Sequence, residues 1–107
     1  PISGVIDKDE FSPPIFLDDT NMLKYLYGSI WYPSHARENG TDGTVSIHIK
    51  ISKLGYLEVI SVYKGVEPHL DVESIRALLL CKNWKPAILN GEAIDTYSIF
   101  DVKFKLQ

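Results

Sequence analysis

The hydrophobic period of this chain changes once, from helical to extended, and that change limits the folds open to it. Leu23, Leu26, Tyr27 and Ile30 fall at i, i+3, i+4 and i+7, one face of a helix. Beyond Gly43, Val45, Ile47, Ile49 and Ile51 alternate with Ser46, His48, Lys50 and Ser52, the period of a strand with one buried face. A helical stripe and a one-sided strand can each hide their apolar side only against the other, so helices must stack on a sheet.

Turn and cap residues divide the rest. Asp19 or Thr20 can cap the first helix by accepting a free backbone N–H. Residues 32–40 read as a second short helix, with Pro33 in the first helical position and Gly40 in the left-handed position past the end. Lys53-Leu54-Gly55 turns the chain into a second strand over residues 56–64, whose apolar side chains fall on both faces. Gly65 and Pro68 break that strand. Asp71 as N-cap, with Leu70 and Ile75 as a hydrophobic staple, predicts a helix over residues 72–81 that buries Ile75, Leu78 and Leu79. Trp84-Lys85-Pro86 marks its exit and Asn90-Gly91 a turn. Phe100, Val102, Phe104 and Leu106 then alternate with Asp101, Lys103 and Lys105 as a terminal strand.

The resulting order α-α-β-β-α-β predicts an α+β fold. It is a two-layer sandwich with a small, about three-stranded antiparallel sheet and helices on one face. So few strands leave at least one long edge open. Residues 1–18 carry Asp7, Asp9, Glu10, Asp18 and the pair Pro13-Pro14, which forbids a helix. They read as an extended N-terminal arm, with Val5, Ile6, Phe11, Ile15 and Phe16 pinning it to a domain of residues 19–107.

Composition narrows the function. At 107 residues, 45% hydrophobic and 23% charged, the chain suits one domain. Its net charge of -3 and lack of a basic block argue against a nucleic-acid partner. The single cysteine, Cys81, reads as a small buried apolar residue near a helix end. His35, His48 and His69 lie on separate elements without the paired spacing of a zinc site. The sequence lacks a Gly-rich phosphate loop, a Gly-x-Ser-x-Gly elbow, and a cysteine with a positioned histidine. The expectation is therefore a non-enzyme with no catalytic residues, no cofactor and no metal. No run approaches the ~18 apolar residues of a membrane span. A chain that starts at Pro1 reads as a processed product or an excised piece, with any membrane anchor upstream.

The ordered punctuation is similar to that of one family. Tyr32-Pro33, Ala36, Gly40, Gly43 and Val45 open the pattern, and Gly55 supplies a hairpin glycine. Leu70-Asp71 starts a helix that leads into Trp84-Lys85-Pro86-Ala87, then Asn90-Gly91, then Val102-Lys103-Phe104-Lys105-Leu106. This set resembles the C-terminal domain of TonB-type energy transducers. Two positions depart from the family's pattern: Ser74-Ile75 stands where a small pair is common, and Asp101 where a proline often interrupts the last strand.

The resemblance implies a periplasmic binding domain held to the inner membrane by an N-terminal helix outside this chain. Its implied partners are the TonB box of an outer-membrane transporter and, through that N-terminal part, inner-membrane motor proteins. Binding would be by β-strand addition along Tyr97, Ser98, Ile99, Phe100, Asp101, Val102, Lys103 and Phe104, with Tyr32 and Pro33 beside it. About five added hydrogen bonds at a net ~1 kcal/mol each, plus some side-chain burial, imply micromolar affinity. The same edge also allows self-pairing into a homodimer. The other reading the resemblance leaves is an interaction or sensor module of a membrane signalling or lone periplasmic protein.

Overall fold

A computed structural model describes residues 10–106; Val5 and Ile6 of the arm lie outside them. The expected α+β architecture is present. The strands β3 (Gly43–Ile51), β4 (Leu57–Lys64) and β8 (Thr96–Phe104) form an antiparallel sheet in the order β4-β3-β8. Helices α1 (Met22–Ser29), α2 (Ser34–Glu38) and α3 (Pro68–Leu80) pack on one face. Five short strands accompany them: β1 (Phe11–Ser12), β2 (Ile15–Phe16), β5 (Trp84–Lys85), β6 (Ala87–Leu89) and β7 (Glu92–Ile94).

The core follows from the strand period. Val45, Ile47, Ile49 and Ile51 of β3 are all buried, and Leu57, Val102 and Phe104 join them from the flanking strands. Leu26, Ala36, Leu70, Ala77 and Leu78 close the cluster from the helices. Each large aliphatic side chain so buried contributes about 1.5–3 kcal/mol relative to exposure. Cys81 is fully buried, and burial, with Asp18 adding to it, pushes its thiol up to about 11, the inert state expected of it.

Both long helices are rotated or shifted relative to their sequence reading. Leu26 is buried and Ile30, just past the end of α1, packs on the core as expected, but Leu23 is 53% and Tyr27 38% exposed, and Met22 and Tyr25 supply the packing instead. Its cap is Asn21, which accepts from the Lys24 N–H; Asp19 accepts from the Asn21 N–H one step outside. α3 starts four residues early. Pro68 is not a breaker but the first helical residue, where a missing N–H costs nothing. Glu67 is the cap, accepting from Leu70 N, and Asp71 instead accepts from Val66 N across the turn. The buried face becomes Leu70, Ser74, Ala77, Leu78 and Cys81, leaving Leu79 on the outside.

The scattered apolar pattern of β4 has a local cause. Its pairing with β3 slips twice: Ser46 faces Lys64 but Ile47 faces Val62, and His48 faces Ser61 but Ile49 faces Val59. Tyr63 and Ile60 are thus extra residues in two bulges, and each bulge flips the alternation. β8 pairs with β3 in one unbroken register from Gly43↔Phe104 to Ile51↔Thr96.

The arm lies antiparallel beside the segment after α3. Phe11↔Leu89, Ser12↔Ile88, Ile15↔Lys85 and Phe16↔Trp84 keep a single register. In that register Pro13 falls opposite Ala87 and Pro14 opposite Pro86, and prolines donate no ladder bond, so one strand pair is split into two short ones. Phe16 is the anchor, buried between Tyr25 and Trp84.

Candidate peptide-binding edge

β3 sits in the middle of the main sheet, so the outer sides of β4 and β8 are its two edges. They differ in quality as templates. A bulged strand presents its N–H and C=O groups out of step, and natural proteins use bulges to blunt an edge. β4 carries two. β8 carries none, and no described strand pairs with its outer side.

One contact fixes which groups point outward. The backbone N–H of Lys103 donates to the Tyr27 hydroxyl at 3.0 Å, so it points away from β3. In an unbroken antiparallel ladder that direction repeats every second residue. The N–H and C=O groups of Tyr97, Ile99 and Asp101 therefore also face outward, whereas Ser98, Phe100, Val102 and Phe104 exchange bonds with β3. Tyr27 closes the row at its Lys103 end.

Of the residues expected at the site, Val102 and Phe104 have buried side chains and serve the core, and Phe100 is half-buried. Tyr97, Ser98, Ile99, Asp101 and Lys103 are exposed. The strand thus outruns its helical cover towards its start, where Ser98 is exposed on the core-side face and Ile99 is 46% exposed on the other. Cross-strand partners steady that outer face. Ser46 Oγ donates to Asp101 Oδ1 at 2.7 Å, and Lys50 Nζ stands 5.9 Å from the centre of the Tyr97 ring. Lys50 also pairs with Asp95 at 3.6 Å, and Asp95 takes the Lys53 N–H at 2.7 Å. Asp95 and Glu58 charges raise the Lys50 ammonium above its ordinary value.

Tyr32 and Pro33 stand at the far end of β8. The Tyr32 ring meets Phe104 edge-on at 5.6 Å, Arg37 lies 5.5 Å over it, and its hydroxyl donates to the Thr41 carbonyl. Burial, reinforced by Asp42, raises the phenol above its usual value. Tyr32 is thus fixed in place against the last residue of the strand. Pro33 is not the first helical residue but the N-cap of α2, with extended backbone (φ -60, ψ 133). Gly40 has the expected positive φ of 65.

On their other side, Tyr32 and Pro33 line a groove of about 580 Å³ with Trp31, Pro68, His69 and Val72. Trp31 is 78% exposed, with Arg76 stacked 5.5 Å over its ring and its N–H held by Glu73 Oε2 at 2.7 Å. Sequence reasoning missed Trp31 and the edge role of Tyr27. Trp31 falls between two helices, outside any period, and Tyr27 reads as part of the helical stripe; the one signal is a large aromatic flanking Tyr32-Pro33.

Residues 29–106, well over half of the chain, match the family model for the Gram-negative bacterial TonB protein C-terminal domain. Comparison with curated proteins and with solved structures found no match. The chain belongs to the TonB C-terminal family, whose members are non-enzymatic periplasmic domains of energy transduction in Gram-negative bacteria.

Proposed function

We propose that this domain binds the TonB box of an outer-membrane transporter as an added strand on β8, and so couples that transporter to inner-membrane motor proteins through an anchored N-terminal part. The carrying observation is the contrast between the two edges: β8 is regular, with no described strand on its outer side, and β4 is bulged twice. An extended peptide beside Tyr97, Ile99 and Asp101 meets three outward N–H groups and three outward C=O groups. At a net ~1 kcal/mol each, five or six bonds contribute about 5–6 kcal/mol, and side-chain burial must supply the rest of the ~8 kcal/mol of micromolar binding and offset the ordering of the peptide. Strand pairs pulled along their length break several bonds together, which suits a link that carries load. Self-pairing into a homodimer uses the same edge and competes with the peptide.

Titration of fluorescent box peptides by polarisation, with the domain at concentrations where it is monomeric by sedimentation, tests the reading. Saturable micromolar binding to a subset of boxes supports it. No saturable binding across a broad panel of boxes refutes it.

A further inference from the structure

His35 and His69 belong to different helices, 34 positions apart in the chain by their numbers, and nothing in their spacing links them. The fold stacks them. Their ring centres are 4.3 Å apart with 29° between planes. Glu67, the cap of α3, completes the group: one ligand-capable atom from each of His35, Glu67 and His69 lies within 4.8 Å of the other two. We propose that these three side chains form a binding site for a divalent transition-metal ion of the zinc class.

The chemical state of the groups suits such an ion. His35 Nε2 lies 3.2 Å from Asn39 Nδ2, so an ion would take either that nitrogen, displacing the amide, or Nδ1 of the same ring. His69 Nδ1 lies 3.1 Å from Glu67 Oε2, close to the spacing that two ligand atoms of one tetrahedral ion need, and an ion held there would replace the proton between them. Glu67 Oε1 accepts the Leu70 N–H at 2.9 Å, which steadies the carboxylate at the cap of α3. The start of α3 is partly positive, which opposes a cation, and Glu67 at its cap and Asp71 in its first turn offset that.

Two nitrogens and one oxygen select zinc, nickel or copper over magnesium or calcium, which take oxygen ligands. Tetrahedral zinc with bonds of about 2.1 Å wants ligand atoms about 3.4 Å apart. Both imidazoles are exposed, so rotation about their own side-chain bonds closes the remaining gap of roughly 1 Å without moving backbone. A water would complete the fourth position. A bound ion would clip the start of α2 to the start of α3 beside the Trp31 groove, and so hold Tyr32-Pro33 just ahead of α2. The site is independent of the β8 reading.

The test is calorimetric titration of tag-free protein with zinc chloride, repeated with His35→Ala, His69→Ala, Glu67→Gln and His48→Ala. The site predicts one equivalent bound in the micromolar range. Loss of a metal-site partner costs roughly 10–100-fold, so each of the first three variants should lose at least about tenfold and His48→Ala should match the parent. Zinc should also shift the ring nitrogens of His35 and His69, but not His48, in the NMR spectrum of 15N-labelled protein. No binding below millimolar zinc, full affinity in the His35→Ala/His69→Ala double variant, or ring shifts confined to His48 would each overturn the proposal.

Discussion

The Tyr27 hydroxyl accepts the outward backbone N–H of Lys103 at 3.0 Å, and so occupies the last position of an otherwise open strand edge. A side chain from α1 thereby sets the length of the run available to a partner. Tyr27→Ala keeps a good helix former in α1 and returns one N–H to the edge. Peptides long enough to reach Lys103 should bind about fivefold tighter, the worth of one hydrogen bond of ~1 kcal/mol. Short peptides ending at Asp101 should be indifferent, as measured by polarisation. Weaker binding of both would mean that Tyr27 contacts the peptide itself.

Proline separates the edge from the ladder. At Ile99 the N–H points outward, so Ile99→Pro removes a donor that only a partner would use and leaves the β3 ladder intact. Peptide binding should fall at least about fivefold, the worth of one hydrogen bond, while thermal unfolding moves little. At Phe100 the N–H belongs to β3. Phe100→Pro loses a bond of about 1 kcal/mol and orphans a carbonyl at a further 1–3 kcal/mol, which urea unfolding should register in full.

Gly55 is held by two constraints. Its φ is +89, and a Cβ there would stand 2.4 Å from the Trp84 carbonyl oxygen, beside the 3.1 Å bond from Trp84 N to Gly55 O. Gly55→Ala should cost roughly 1–3 kcal/mol of strain in urea unfolding, and loosen the segment against which β2 is laid. A neutral result would show that the segment can move aside.

Glu73 gives the fold a pH dependence. The Arg76 side chain, working against burial and joined by the Trp31 N–H, holds its carboxyl below the ordinary value of 4.5. A group depressed in the folded state stabilises above its unfolded pKa, and that contribution is lost as pH falls through its folded value. Glu73→Gln should therefore unfold more easily than the parent at pH 7, and the difference should shrink steadily below about pH 4.5. Arg76 is 43% exposed, so water screens the pair and added salt should narrow the gap further. A difference that persists unchanged at pH 3 contradicts the ionic account.

The parts legible in the sequence were those decided by one local rule. The strict alternation of Val45 to Ile51 gave β3 and its core face, and Gly40 and Gly55 took the positive φ their turns demand. Where two rules competed, the wrong one was easy to choose. Pro68 is both a strand breaker and a good first helical residue, and the second use prevailed once Glu67 could cap it. Leu23 fits the helical stripe, but the core lies under Met22, Tyr25 and Leu26. The arm's strands were hidden because Pro13-Pro14 breaks any period there, and its pairing partner lies some seventy residues on. As for the edge, the terminal strand was visible, but the grounds for preferring it were not. Those grounds are the bulges at Ile60 and Tyr63 and the cap by Tyr27, all products of register and tertiary contact.

The central claim is that a peptide adds to β8 along its outward groups. The most direct measurement is titration of 15N-labelled domain with a TonB-box peptide, following amide shifts and then amide exchange in the saturated complex. The account predicts the largest shifts and new protection at the Tyr97, Ile99 and Asp101 amides, with Ser98 and Phe100 already protected beforehand by β3. Shifts confined to β4, or to Trp31 and its groove, with the β8 amides unmoved, would contradict it.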